Sequence, residues 1–303
     1  MEVRMYVVIG ASGNTGHVVA RNLLARGQKV RLVGRSAGKL QALAADGAEI
    51  FIGDLTDPSS LTKAFHQADA AYVMIPPDPA SKDYRAYQEQ VSSSLATALQ
   101  NAKVKNIVAL SSFGADKASG TGPVVGLHNL EQKLDQISDA NVLHLRPGYF
   151  MENTLPQVGA IRMLGSAVGP LRPDLKLPMI ATRDIGAVAA NALVRLDFRG
   201  KRTQELHGER DLDYTEVATI IGKAIGKPDL GYIQAPDNQI LAAMVQMGMS
   251  ENVAQMILEM SGALNRGHMK TLEPRSATNT TPTKFETFVS ETFVPAYQQQ
   301  TAA

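Results

Sequence analysis

Short apolar runs alternate with longer amphipathic segments through the first half of the chain. The runs are rich in β-branched and aromatic residues, which is typical of strands that are covered on both faces. The predicted strands are Arg4–Ile9, Lys29–Gly34, Ala48–Gly53, Ala70–Ile75, Asn106–Ser111 and Val142–Arg146. The predicted helices between them are Asn14–Arg26, Ala37–Asp46, Ser59–His66, Lys82–Ala102 and Gly126–Ser138. This alternation predicts an α/β fold with a Rossmann-like, doubly wound parallel sheet.

A glycine-rich turn joins the first predicted strand to the first predicted helix. Its sequence is Gly10-Ala11-Ser12-Gly13-Asn14-Thr15-Gly16. In a dinucleotide-binding fold the first glycine permits a tight turn, the second lets the backbone approach a pyrophosphate, and the third lets the helix pack closely. Free amides at the helix start then face the phosphates. We expect a dinucleotide to contact Gly10, Ser12, Gly13, Asn14, Thr15 and Gly16; the alternative is an ordinary turn between strand and helix.

The end of the second predicted strand indicates which dinucleotide binds. A site for NAD usually presents Asp or Glu about 20 residues beyond the glycines, yet residues 3–45 contain neither. Arg35 and Ser36 stand at that position, and Lys39 follows. Because a guanidinium can fork onto a ribose 2′-phosphate, we expect NADP(H), with Arg35 as the main contact. The alternative is that these are solvated residues at the start of a helix.

The third and fourth predicted strands also end in candidate ligand contacts. Asp54-Leu55 follows the third strand, where Asp54 can accept a hydrogen bond from the adenine amino group or cap the next helix. Ile75-Pro76-Pro77 ends the fourth strand, and proline cannot donate to a strand ladder, so the chain must leave the sheet there. Because ligands bind at strand ends in open α/β sheets, we assign Asp54, Leu55, Ile75, Pro76 and Pro77 to the cofactor site.

The alternation loosens after about residue 150. Predicted elements there are the strands Leu177–Ala181 and Thr203–His207, the helices Asp184–Leu196 and Tyr214–Ile225, one or two helices over 238–264, and a last helix over Thr283–Tyr297. We therefore expect a dinucleotide-binding domain over residues 1–150. Residues 151–303 are predicted to form a smaller, mostly helical substrate-binding region that partly returns to the sheet.

The composition excludes several classes of protein. With 44% hydrophobic and 19% charged residues among 303, the chain is globular. The absence of Cys excludes a disulfide framework and a thiolate metal site, and the six His are too scattered for a metal. Thirty basic residues against 29 acidic give no field that would attract nucleic acid or a membrane surface. No secretory signal begins the sequence and no apolar run reaches the roughly 18 residues of a membrane span, so we expect a cytoplasmic protein.

Several motifs together resemble the NmrA-like atypical short-chain dehydrogenases over residues 5–235. They are the glycine turn, Val33-Gly34-Arg35-Ser36, Gly53-Asp54-Leu55, Ser111-Ser112-Phe113-Gly114-Ala115, Arg146-Pro147-Gly148-Tyr149-Phe150-Met151-Glu152-Asn153 and Arg183-Asp184-Ile185-Gly186. That family includes NADPH:quinone oxidoreductases, dye-reducing enzymes and regulators that sense NADP without turnover. The resemblance implies an NADPH-dependent reductase of a quinone-like or other conjugated apolar acceptor. The alternative is an NADP(H)-sensing regulatory protein.

The sequence departs from the usual catalytic residues of short-chain dehydrogenases. Those enzymes generally use a Ser, with a Tyr and a Lys four residues apart. Ser111 or Ser112 matches the serine position, but Val124 stands where the tyrosine would be and His128 where the lysine would be. Ordinary alcohol–ketone chemistry is therefore not expected. The catalytic candidates are Ser111, Ser112 and His128, since a His can transfer a proton near neutral pH; a structural hydrogen bond is the alternative for His128.

The substrate candidates lie beside the expected cofactor and in the C-terminal half. Phe113, Tyr149 and Asn153 are expected to line a substrate pocket, and packing or helix capping is the alternative for Tyr149 and Asn153. Six of the twelve Met lie between Met244 and Met269. Because methionine adapts to varied shapes, this segment is interpreted as a pocket lid, a dimer face or plain core. A lid indicates a large, flat, apolar or aromatic substrate, and a dimer face indicates a homodimer.

Overall fold

The computed structural model describes residues 3–299. Its strands are β1 (Met5–Ile9), β2 (Lys29–Gly34), β3 (Glu49–Ile52), β4 (Ala70–Val73), β5 (Asn106–Leu110), β6 (Asn141–Pro147), β7 (Tyr149–Phe150), β8 (Ala167–Gly169), β9 (Leu177–Ile180), β10 (Lys201–Leu206), β11 (Asp211–Leu212) and β12 (Tyr232–Gln234). Its α-helices are α1 (Asn14–Leu24), α2 (Gln41–Ala45), α3 (Pro58–Ala64), α4 (Tyr84–Asn101), α5 (Val124–Asp135), α6 (Gln157–Leu164), α7 (Thr182–Arg195), α8 (Tyr214–Ala224), α9 (Asp237–Gln246), α10 (Glu251–Asn265), α11 (Phe285–Phe288) and α12 (Val294–Gln299).

Seven strands form one parallel sheet in the order β10-β6-β5-β4-β1-β2-β3. The chain builds β2 and β3 on one side of β1, and then crosses to place β4 on the other side. Open α/β sheets bind ligands outside the carboxyl ends of their strands at such a reversal. The predicted Rossmann-like, doubly wound fold is confirmed, and its reversal lies between β1 and β4.

Alternate residues of the central strands pack against helices on opposite faces of the sheet. Val8 of β1 belongs to a core shared with α1 and α7, whereas Val7 and Ile9 belong to a second core formed with α3, α4 and α5. Because both faces are covered, strands such as β4 are buried at every residue. This burial explains why these strands are recognisable as continuous apolar runs in the sequence.

The second half of the chain contains more elements than its sequence predicts. β10 pairs with β6 at the edge of the main sheet, and two small sheets form from β7, β9 and β11 and from β8 and β12. The missed strands have only two or three residues each, so no periodic pattern marks them. The segment 238–264 forms two helices, α9 and α10, and the predicted last helix is divided by a π-helical segment at Val289–Phe293. The domain boundary at residue 150 stays a prediction.

Within the described residues, no helix combines the length and the apolar character that crossing a bilayer requires.

Two helical glycines provide a matched test of how closely α7 packs on α1. A Cβ at Gly186 of α7 would lie 2.6 Å from Val18 Cβ and 2.8 Å from the Thr15 carbonyl oxygen, whereas a Cβ at Gly159 of α6 would meet nothing within 4 Å. We expect Gly186→Ala to lower the free energy of unfolding by about 1–2 kcal/mol, because overpacking outweighs the gain in helix propensity. Gly159→Ala is expected to raise it by about 0.5–1 kcal/mol. Urea denaturation measures both, and equal effects would contradict the close contact.

Candidate functional site

In the glycine turn between β1 and α1, close packing requires two of the three glycines, whereas the third faces open space. Gly10 has a φ of +74°, and a Cβ there would lie 2.3 Å from Met74 Sδ. A Cβ at Gly16 would lie 2.4 Å from the Gly10 carbonyl oxygen, so neither position tolerates a side chain. Gly13 differs, because its backbone is extended (φ −102°, ψ 178°) and its Cβ would approach only the Gly10 oxygen, at 3.4 Å. The fold does not require glycine at position 13, which leaves an open cradle above the turn.

The start of α1 presents backbone amides at this cradle. No side chain caps the helix and its first turn contains no acidic residue. The amides of a first helical turn have no carbonyl partner within the helix, and the positive end of the helix dipole favours an anion there. Ser12, Gly13 and Asn14 are exposed at this point. The cradle therefore has the amides and the polarity that a pyrophosphate needs.

Thr15 contributes less to this cradle than its sequence position predicts. Its side chain is buried, and its hydroxyl accepts a hydrogen bond of 2.9 Å from the hydroxyl of Tyr72 in β4. The hydroxyl is therefore directed to β4 and not to the exposed part of the cradle. Thr15 and Gly16 thus hold α1 against the sheet, whereas Ser12, Gly13 and Asn14 face outward.

The next two strand ends bring together the residues predicted to recognise the adenosine half of the cofactor. Arg35, Ser36 and Lys39 are exposed after β2, and Asp54 is exposed after β3. Asp54 accepts a hydrogen bond from the amide of Thr56 at 2.9 Å, while Asp57 caps α3 by accepting from the amide of Ser59. Capping of α3 therefore does not occupy Asp54. Leu55 is half-buried in the same turn.

Arg31, which also lies on β2, is part of the fold instead. Its guanidinium donates to Glu49 at 2.8 Å and to the carbonyl oxygens of Ala64 and His66 at 2.7 and 2.9 Å. These bonds join β2 to β3 and to the end of α3. Arg35 and Lys39, which follow the carboxyl end of this strand, are the exposed basic residues next to the site.

Tyr87 on α4 links Arg35, after β2, to the turn after β4, and sequence reasoning missed it. Its hydroxyl donates to the carbonyl oxygen of Pro76 at 3.0 Å. Burial raises the pKa of Tyr87, and the charge of Arg35 opposes that rise. Arg35 and the turn after β4 therefore lie close to the same phenol. The turn itself leaves the sheet as predicted, since β4 ends at Val73.

A cavity of ≈ 380 Å³ opens at the carboxyl ends of β4, β5 and β6, next to the glycine turn. Met74, whose sulfur lies beside Gly10, is shared by both. Seven residues singled out in the sequence line the cavity: Ile75, Pro77, Ser111, Ser112, Phe113, Tyr149 and Asn153. Pro76 and His128 were also singled out, but they are not among the lining residues. The structure thus places the predicted substrate residues and two of the catalytic candidates around one space.

Different residues of the methionine-rich segment line the cavity, pack in the core or face solvent. Met249, Met260 and Met269 line the cavity together with Val253, Ile257 and Leu264. Met244 and Met256 are buried, whereas Met247 is 69% exposed. The segment therefore provides the apolar roof of the cavity and part of the core. A homodimer through its exposed face stays a prediction.

Ser111 at the end of β5 belongs to a buried ionic network. Its hydroxyl donates to Glu131 Oε1 at 2.5 Å, and Arg146 binds the same carboxylate through Nε at 2.9 Å and Nη2 at 2.5 Å. Glu131 is only 3% exposed. The Ser112 hydroxyl donates to the carbonyl oxygen of Phe113 at 3.0 Å. Because each hydroxyl has one proton, both serines present oxygen lone pairs, and no free proton, to the cavity.

His128 makes the structural hydrogen bond that was its alternative interpretation. Its Nδ1 lies 2.8 Å from the carbonyl oxygen of Ala115, a contact in which the ring must donate. Nε2 is then the ring nitrogen left for proton exchange. Val124, one turn earlier on α5, is buried, so this helix offers no phenol at the position where short-chain dehydrogenases carry one.

Two tyrosines line the cavity in different ways. The Tyr149 hydroxyl lies 3.0 Å from that of Tyr214, and burial raises the pKa of both. Tyr84 was missed by sequence reasoning, although it opens α4 directly after the proline-rich turn. Burial, Tyr87 and Asp78 raise the pKa of Tyr84 to about 12. Both phenols are therefore neutral at physiological pH.

Within residues 3–299, no group of three or more His, Cys, Asp or Glu could hold a metal ion.

Comparisons with known proteins agree with this architecture. A model of the NmrA-like family matches residues 4–290. The NAD(P)H azoreductase of Xenophilus azovorans is 31% identical over 84% of this chain and 86% of its own. Quinone oxidoreductase 2 of Escherichia coli strain K12 is 26% identical over 87% of this chain and 89% of its own. The crystal structure of an NADPH-dependent quinone oxidoreductase from Escherichia coli, complexed with NADPH, shares the fold with a TM-score of 0.79 at 24% identity, covering 95% of this chain and 99% of that one.

Removing the charge of Glu131 should destabilise the protein far more than removing that of an exposed carboxylate. The side chains of Glu131 and Arg146 are 4% and 12% exposed, so Glu131→Gln leaves a buried guanidinium without its counter-charge. We expect the free energy of unfolding to fall by about 3 kcal/mol. Glu49, whose side chain is 51% exposed beside Arg31, is the control, and Glu49→Gln should cost less than about 1 kcal/mol. Chemical denaturation that gave the two variants the same stability would refute the assigned role of the network.

Proposed function

The chain belongs to the NmrA-like family, and on that premise we propose that it is an NADPH-dependent reductase of conjugated, apolar acceptors such as quinones. One observation carries the proposal: a phosphate-binding cradle and an apolar cavity adjoin at the same edge of the sheet, with Met74 between them. The names of the azoreductase and quinone oxidoreductase relatives support the same class of reaction.

The residues at the sheet edge fit NADP(H). The open space over Gly13 and the amides of α1 would hold the pyrophosphate, and Arg35, with Ser36 and Lys39, would hold the 2′-phosphate. Asp54 and Leu55 would contact the adenine, and Ile75, Pro76 and Pro77 would lie along the cofactor after β4. When bound, NADPH supplies a hydride to the acceptor.

The cavity residues act on the acceptor by holding it and by keeping water away. Phe113, Tyr149 and the methionines of the roof offer flat or adaptable apolar surfaces to a conjugated ring, and Asn153 is exposed at the same space. Ser111 and Ser112 add hydroxyl oxygens to this mostly apolar lining, and these oxygens can accept a hydrogen bond only from a ligand that carries an N–H or O–H group. In this proposal His128 is the candidate for proton transfer: because Nδ1 donates to Ala115, Nε2 carries the lone pair of the neutral ring and relays a proton from solvent to the reduced acceptor. A strong acid is not needed, because quinones require little acid assistance.

Turnover separates the reductase from the NADP(H)-sensing regulator. Purified protein is mixed with NADPH and a panel of quinones and azo compounds, and nicotinamide absorbance is followed. The reductase consumes NADPH with at least one acceptor. Saturable binding of NADPH without consumption for any acceptor would overturn the proposal and would favour the regulator.

Arg35→Ala tests the assignment of the 2′-phosphate. We expect this variant to weaken NADPH binding by about tenfold or more, because it loses charge-assisted hydrogen bonds to phosphate. The affinity for NADH, which lacks that phosphate, should change little. Lys223→Ala removes an exposed cation from α8 and serves as the control. If a calorimetric titration showed that the variant loses affinity for NADPH and NADH equally, the assignment would be contradicted.

Gly13→Val tests the open cradle. The extended backbone at Gly13 accepts a side chain, so the variant should keep its thermal stability while losing affinity for both NADPH and NADH. Gly16→Val, whose Cβ would strike the Gly10 carbonyl, should lose stability as well. Thermal denaturation and nucleotide titration of both variants check this contrast. Undiminished nucleotide binding by Gly13→Val would show that the phosphates bind elsewhere.

A further inference from the structure

Asp78, in the turn after β4, is the one charged residue among the described residues that line the cavity. We propose that Asp78 makes the cavity selective for positively charged conjugated ligands over neutral and negatively charged ones. The inference rests on the proposed function only in taking the cavity as the acceptor site. It specifies which charge the preferred acceptor carries, and it names Asp78 as the residue that determines this preference.

The carboxylate of Asp78 is not neutralised by the protein. Its backbone carbonyl accepts a hydrogen bond from the amide of Ser81 at 3.1 Å, which fixes the turn. Across residues 3–299, the side chain forms neither a hydrogen bond nor an ion pair, and the side chain of Asp78 is therefore free to pair with a ligand. Replacing it should leave the turn intact, because the turn uses the main chain.

The aromatic residues beside Asp78 also favour a cation. Tyr84 lines the cavity and its ring stacks on that of Tyr87, with centroids 5.8 Å apart. The negative charge of Asp78 reaches both phenols, since it raises the pKa of each. Neutral aromatic rings attract cations through their faces. Asp78 and the ring of Tyr84 thus form one wall of the cavity, and Tyr87 stacks on that ring from outside the lining.

No positive side chain offsets this wall, since Lys, Arg and His are absent from the lining within the described chain. Arg146 lies behind Ser111 and is neutralised by Glu131. Arg35, whose charge also reaches Tyr87, lies outside the lining and is assigned to the 2′-phosphate. Ser111 and Ser112 present lone pairs, which repel an anion. Asp78 therefore gives the described lining a net negative charge.

Three naphthoquinones that differ only in one substituent provide the test. The substituent is a cationic trimethylammonio group in the first, an uncharged group in the second and an anionic sulfonate in the third. Their dissociation constants are measured without nucleotide, so that no turnover occurs. We expect the cation to bind about tenfold tighter than the neutral compound and the anion about tenfold weaker, because a half-exposed carboxylate acts through partly screened charge. The differences among the three dissociation constants should decrease as ionic strength rises.

Variants assign the selectivity to one residue. Asp78→Asn should bring the three dissociation constants to within about twofold of each other, and Asp78→Lys should reverse their order. Asp139→Asn is the matched control, because Asp139 is exposed between α5 and β6, at the opposite edge of the sheet. It should keep the wild-type order.

The outcomes separate this inference from the proposed function. Equal affinity for the three compounds, absence of binding by all three, or an order that Asp78→Asn leaves unchanged would overturn the role of Asp78. Reduction of the neutral naphthoquinone by NADPH tests the proposed function alone. If the three affinities follow the expected order while NADPH is consumed with no acceptor of the quinone and azo panel, the reductase is refuted and the selectivity is supported.

Discussion

The site depends on the contact between Gly16 at the start of α1 and the carbonyl of Gly10 at the end of β1. A Cβ at position 16 would lie 2.4 Å from that oxygen, so only glycine lets the helix begin this close to the strand. The contact directs the amides of α1 across the sheet edge. Gly10 also lies against Met74, whose side chain forms part of the neighbouring cavity. Gly10 thus connects the start of α1 with a residue of the cavity lining.

Much of the site was predictable because the carboxyl ends of parallel strands meet at one edge of a sheet. Residues that follow β1 to β6 in the sequence, such as Gly13, Arg35 and Ser111, had to converge once the alternation was recognised. Glu131 could not be placed in this way, since its partners Ser111 and Arg146 lie 20 and 15 residues away on other elements. Tyr84 and Asp78 were missed for a similar reason, because the course of the turn after β4 decides whether they face the cavity. The strands β7 and β11 were missed because two residues carry no periodicity.

The Glu131–Arg146 pair changes what Ser111 can do. A buried ion pair is costly to desolvate, and it persists where hydrogen bonds satisfy its remaining lone pairs. Ser111 supplies one of those bonds, at 2.5 Å, and its proton is thereby held away from the cavity. Ser111 is one of the two serines that match the usual serine position, and its proton points to Glu131 and away from the cavity. Together with Val124 in place of a phenol, this arrangement supports the proposal that the acceptors are ones that a hydride can reduce without a strong acid nearby.

Charge is divided along the sheet edge in a way that suits two ligands at once. Cationic Arg35 and Lys39 follow β2, the amides of α1 lie in the middle, and anionic Asp78 lies beyond β4 at the cavity. A phosphate-rich cofactor is attracted to the first two and repelled by the third. A positively charged acceptor experiences the opposite preferences. Arg35 and Asp78 shift the pKa of Tyr87 in opposite directions, so the two charges meet at one phenol between the two parts of the site. On these proposals the same edge holds an anion and a cation side by side, each next to protein charge of the opposite sign.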